Sequence, residues 1–291
     1  MTLNFSNNGL YLVIVLTFVS TSAQAQSRAD YARSLMADQD YYRAISVYKE
    51  LAFFSRNADS TIFFLSQIGK AYRLSGHYTE AITTFADLAD DFKLTLSESS
   101  MVNQNLGLAY LGMRVPAQSL SFFQEAEKGD TNRLSNFFLG AVYTEMGEWN
   151  KAMEEYSTVM QGKTDSSLFA LSERFLSTLQ RSDQIPRRSP LVASLFSVVF
   201  PGSGQLYCGH DVDALQAFAF VSAFAFTSYV AYKYDSKYNR NYLLTGISIS
   251  LAGIFHLANI IGAERTAEYF NQRQRDLFIE EIRDKTLNHD F

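Results

Sequence analysis

The sequence predicts an all-α chain, with a helical solenoid over about 28–185 followed by a transmembrane helical hairpin. Three observations predict it. A short glycine-centred pattern recurs along the first two-thirds of the chain. Two later segments, 212–232 and 242–263, are each about 20 residues long, apolar and free of Lys and Arg. Only four prolines occur in 291 residues, and strand-like alternation is rare, so helices have few interruptions.

The chain begins with the features of a secretory signal over 1–25. Leu10 to Val19 is an apolar core too short to span a bilayer, and Ala23-Gln24-Ala25 supplies the small-x-small pattern of a cleavage site. Cleavage there leaves Gln26 first. An uncleaved anchor is the alternative, because Met1 to Gly9 holds no Lys or Arg. No lipid-accepting cysteine follows the apolar core.

The repeats come next. Ile68-Gly69-Lys70-Ala71-Tyr72 recurs as Leu106-Gly107-Leu108-Ala109-Tyr110 and as Leu139-Gly140-Ala141-Val142-Tyr143. Twelve residues after each glycine stands a small residue, Ala81, Ser119 or Ala152, and four further on an aromatic, Phe85, Phe123 or Tyr156. A weaker first copy places Ala32, Leu35, Ala44 and Tyr48 at the same offsets. Small residues let two helices approach closely, and the aromatics fill the space between hairpins. Gly76 and Gly147 sit at the turns, with Tyr41, Tyr78 and Trp149 just after them; in the third copy Arg114 and Pro116 occupy those two positions.

This pattern resembles the tetratricopeptide repeat (TPR), a helix–turn–helix unit, in about four copies. The resemblance implies a concave groove that takes an extended peptide or a partner helix. The named aromatics belong to the core. Asn103, Gln104, Asn132 and Asn136, on the first helices of the third and fourth repeats, are the candidate groove residues. Leu168, Leu171, Phe175, Leu176 and Leu179 share one face of a further helix, suited to cap the exposed end of the array.

A membrane module covers 188–262. The loop between the two spans carries Lys233, Lys237 and Arg240 against Asp235, which places it in the cytoplasm by the positive-inside rule. The hairpin then starts and ends on the periplasmic side, where an exported repeat domain belongs; Arg187 and Arg188 weigh mildly against this. Ahead of the spans, the apolar run 191–200 is broken at Pro201-Gly202-Ser203-Gly204. It is too short to span, so 191–209 reads as a re-entrant or interfacial segment packed on the hairpin.

Pro201-Gly202-Ser203-Gly204-Gln205-Leu206-Tyr207-Cys208-Gly209, followed by Asp213-Ala214, resembles the Pro-Gly-x-Gly-Gln-x-Tyr-x-Gly motif of small bacterial two-helix membrane domains. Asn259-Ile260-Ile261-Gly262-Ala263, Ala267 and Phe270-Asn271 fit the same pattern. The resemblance covers about 80 residues and implies membrane architecture without a reaction. Pro201, Gly202, Gly204, Gln205, Tyr207, Gly209, Asp213 and Asn259 are its candidate site residues. Folding the spans about residue 237 brings Asp213, Gln216, His256 and Asn259 to one end. Polar groups there are either a hydrogen-bonded lock on the hairpin or a ligand or proton site.

An amphipathic helix follows over 264–285, with Phe270, Leu277, Phe278 and Ile282 apolar, fitted to pack on the repeats or lie along the membrane. The net charge of −5 and the lack of a basic run exclude a nucleic-acid partner. A single cysteine, Cys208, excludes an internal disulfide and Cys-based zinc spacing. His77, His210, His256 and His289 are scattered, and no metal, cofactor or catalytic motif is found. Adjacency of Cys208, His210 and Asp211 is a poor nucleophile arrangement, since neighbours seldom face each other.

The expectation is an inner-membrane-anchored periplasmic scaffold that binds an envelope protein or peptide through the repeat groove. The alternatives are a membrane module acting in transport, lipid handling or protein insertion with the repeats as a docking arm, and a purely structural subunit.

Overall fold

The computed structural model describes residues 26–130, 133–162, 165–239 and 241–288. The proposed signal segment, Asn132, Arg240 and His289 lie outside them. Among the described residues there is no strand. Contacts divide the chain into two units, Met1–Gln180 with Glu281–Phe291, and Arg181–Glu280.

The first unit is a row of helical hairpins. A helix over 26–37 (α1) pairs with α2 (Tyr41–Phe54), α3 (Ala58–Leu74) with α4 (Tyr78–Asp91), α5 (Leu96–Gly112) with α6 (Pro116–Glu127), and α7 (Leu134–Met146) with α8 (Trp149–Met160); α9 (Ser166–Leu179) follows. Each turn is built the same way. One residue takes the left-handed conformation, Gln39, Gly76, Arg114 or Gly147. The next residue's N–H donates back five residues, from Asp40 to Leu35, His77 to Tyr72, Val115 to Tyr110 and Glu148 to Tyr143, at 2.8–2.9 Å. That bond closes a helix end whose last carbonyls lack partners. In the third repeat Arg114 adopts the strained conformation at φ 60°, and Pro116 opens α6, where its fixed φ and missing N–H do no harm.

The recurring glycines explain how tightly the paired helices pack. A Cβ on Gly69, Gly107 or Gly140 would sit 2.6–2.8 Å from the ring of Phe85, Phe123 or Tyr156. Each ring therefore lies on its own hairpin's glycine. It also reaches the next hairpin: Phe85 packs in one cluster with Val102 and Leu106 of α5, Phe123 stacks on Phe138, and Tyr156 meets Phe175. Ala81, Ser119 and Ala152 are fully buried at the close approach, and Ser119 satisfies its hydroxyl by donating to Gly107 O at 2.7 Å. Each buried ring contributes about 1.5–3 kcal/mol. The first helices α3, α5, α7 and α9 also pack in succession. α9 buries Leu168, Phe175 and Leu179 and leaves Leu171 and Leu176 half-buried.

The second unit opens with a 3-10 turn, Ser182–Gln184, and the short apolar α10 (Pro190–Val199). A Pro201-Gly202 turn leads into α11 (Ser203–Tyr207), then α12 (Asp211–Tyr234), a π-helical turn (Asp235–Asn239) and the start of α13 (Leu243–Asn288). Among the described residues, α12 with its π extension and α13 are the two helices long and apolar enough to cross a membrane. Only 17% of the most apolar window in each is buried, whereas the core helix of a soluble protein would be covered. Their outward side chains include Phe220, Phe226, Val230, Ile249, Ile254 and Ile261.

Two expectations are revised. The spans pair about a point near residue 240 and not 237: Phe224 stacks on Phe255 at 4.1 Å, and Thr245 binds Asp235. The cause is Asp235, which is fully buried and caps the second span by accepting from Thr245 N and Oγ1, both at 2.9 Å. The first helix thus runs on past the expected loop start. The separate C-terminal helix is also absent, because α13 continues unbroken from the second span to Asn288. Its residues from Glu281 onward belong to the repeat unit.

Candidate functional site

The repeat unit holds a helix across its first helices. The held segment is the end of α13 itself. Glu281 pairs with Arg174 of α9. Arg283 makes a two-pronged pair with Glu145 of α7, at 2.6 and 2.9 Å, with side-chain exposures of 12% and 15%. Leu287 O accepts from Arg73 Nη1 of α3 at 2.9 Å, and Arg73 Nε donates to Asn105 Oδ1 of α5 at 3.2 Å. Ile282 and Thr286, one turn apart, are buried on one face, with Thr286 Oγ1 returned to Ile282 O. Every first helix from α3 to α9 thus gives the segment, directly or through Arg73, a polar contact.

The chemistry of this surface is legible. Arg73 is 4% exposed, and a guanidinium is buried only where acceptors meet its fork. Two acceptors here are the Asn105 amide oxygen and the Leu287 backbone carbonyl. The pairing of Arg283 with Glu145 fixes orientation as well as attraction, since two parallel bonds to a carboxylate tolerate little rotation. Acid, apolar and basic side chains at 281, 282 and 283 each find their complement.

The expected groove residues fare differently. Gln104 donates to Ser135 Oγ at 3.1 Å, tying α5 to α7. Asn103 is half-buried. Asn136 is corrected: its amide donates to Glu127 and Glu155 of the second helices α6 and α8, and so serves packing between hairpins. Burial holds the Glu155 carboxyl above its ordinary range. Arg73, Asn105, Glu145 and Arg174 were missed by the sequence reading.

The Pro-Gly segment of the second unit is a closed hydrogen-bond network. Gly202 turns at φ 86°, and its N–H donates to Asn259 Oδ1 at 3.1 Å. Gly204 N–H donates to Ser197 Oγ at 3.0 Å, and Ser197 Oγ donates to Gln205 Oε1 at 3.2 Å. Gln205 Nε2 donates to both oxygens of Asn259, and Asn259 Nδ2 donates to Ser197 O at 3.3 Å. Gly204 has no room for a Cβ, which would strike Ala193 O, Ala263 and Ser197. Tyr207 accepts from Ser189 N–H and stacks under the Arg188 guanidinium; Asn271 clamps the Arg188 backbone at N and O. Pro201 sets the break and Gly209, at φ 79°, the turn into α12. Ser197 was the participant that the motif did not name.

Asp213 does not join this network. It is exposed and pairs with His210 at 3.1 Å on the first turn of α12, and Gln216 is exposed too. His210 therefore turns to Asp213 and not to Cys208, whose thiol burial pushes up, the opposite of activation. Among the described residues no group of His, Cys, Asp and Glu is placed to hold a metal. Compared with known protein families and with curated proteins, the chain matches none.

Proposed function

We propose that this chain is a scaffold of the bacterial cell envelope: exported repeats of the TPR type capture a partner protein in the periplasm, and the apolar hairpin keeps the complex at the inner membrane. The observation that carries this reading is the surface formed by α3, α5, α7 and α9, which already holds a helix by paired charges and a buried apolar face. Such surfaces in helical arrays bind helices and extended segments. Lys233 and Lys237, both exposed beside the buried Asp235, support a cytoplasmic hairpin loop. The closed network around Gln205 favours a hairpin lock over a transport or insertion site in the membrane module.

Crosslinking in intact cells followed by pull-down tests it, comparing the whole chain with a version lacking residues 30–185. Enrichment of one or a few envelope proteins that is lost in the shortened version is expected. Equal recovery by both versions would contradict the scaffold reading and move the function to the hairpin.

A further inference from the structure

The segment lying across the repeat unit's first helices is part of the chain itself, and its mode of binding specifies a ligand. We propose that this surface is a recognition site for an amphipathic helix in a partner protein, and that residues 281–288 occupy it as an internal competitor. The proposal rests on the scaffold reading above and names the partner's chemistry.

Four features define that chemistry. The ligand helix presents an acid to Arg174, as Glu281 does, and a branched apolar residue in the next position, where Ile282 is buried. It then presents an arginine to Glu145, whose two oxygens both receive the Arg283 guanidinium. Finally, it offers a backbone carbonyl to Arg73, as Leu287 O does at 2.9 Å. The small Thr286, fully buried four residues after Ile282, sets the size limit on the same face. Because the occupant belongs to the same chain, its effective concentration is high. A partner binds only in proportion to the fraction of molecules in which the tail is released.

The test uses a fluorescent synthetic peptide with the sequence of residues 268–288 and the full chain in detergent micelles. Anisotropy is read for the intact chain, for a chain ending at Glu280, and for the full-length Arg283→Glu chain, whose tail is repelled by Glu145. The peptide is expected to bind the latter two at least ~10-fold more tightly than the intact chain. An Arg283→Glu peptide should lose that binding to the shortened chain and regain it when the chain carries Glu145→Arg. Equal binding to intact and released chains, or no binding to a released chain that keeps its helical circular dichroism, would overturn the proposal. If the shortened chain unfolds, the Arg283→Glu chain carries the same comparison, with hydrogen exchange of the tail amides reporting release. Failure of the scaffold reading is distinct: the pull-down then yields no repeat-dependent partner whatever the peptide does. Failure of the tail proposal alone leaves partner capture intact and indifferent to Arg283→Glu.

Discussion

The two units solve the same problem, holding helices close together, with opposite materials. In the repeat unit the inside is aromatic: Phe123 is completely buried, and Gly107 lies bare beneath it. In the hairpin unit the aromatics face out, with Phe226 67% exposed, and the inside is a polar knot of Ser197, Gln205 and Asn259. The difference follows from the surroundings each unit is built for. In water, burial of apolar area drives packing. In lipid, apolar side chains gain nothing by turning inward, so small residues and hydrogen bonds hold the helices. Glycine marks the two regimes: at Gly140 it makes room for a ring, at Gly204 for a backbone carbonyl and a serine hydroxyl.

The largest expected effect is on the aromatic core. Phe123→Ala should destabilise the repeats by about 3–5 kcal/mol in urea titrations followed by circular dichroism, whereas Phe226→Ala should leave unfolding in detergent nearly unchanged. Similar losses for both would break the comparison. Next, Gln205→Leu strands Ser197 and Asn259 groups and should cost the hairpin unit about 1–3 kcal/mol, read as protease sensitivity near Pro201 with the repeats still folded. A smaller gain is expected at the third turn. Arg114→Gly removes left-handed strain from a side-chain-bearing residue and should stabilise the repeats by about 1 kcal/mol. The smallest effect concerns Glu155, whose raised carboxyl pKa means that the folded state prefers the protonated form. Stability from this group is lost as pH rises through that raised value, so Glu155→Gln should raise the melting temperature slightly at neutral pH and have no effect once acid protonates Glu155.

The repeats were readable in the sequence because their signals are local. Gly69, Ala81 and Phe85 stand at fixed offsets within one hairpin, two more hairpins repeat the pattern, and a weaker first copy has Ala32 in the glycine's place. The Pro-Gly motif was readable for the same reason. What escaped depended on distant pairing. Arg283 finds Glu145 across 138 positions, and Arg73 reaches Leu287 across 214. Spacing within a helix carries no information about either. Asp235 was read as a loop charge because composition alone cannot show that it turns inward to cap the next helix. Asn136 was assigned to the groove from its helix, but the face it occupies is set by the two glutamates it bridges. Asp213 was placed among the polar residues of the hairpin by a fold-back point three residues too early.

The account depends most on the repeats and the hairpin loop lying on opposite sides of one membrane. Single cysteines at Ser121, exposed on α6, and at Ser236, exposed in the hairpin turn, can be placed in a Cys208→Ala chain. Intact spheroplasts are then treated with a membrane-impermeant maleimide. The account predicts labelling of Ser121→Cys at once and of Ser236→Cys only after lysis. Labelling of Ser236→Cys in intact spheroplasts, or protection of Ser121→Cys until lysis, would contradict it.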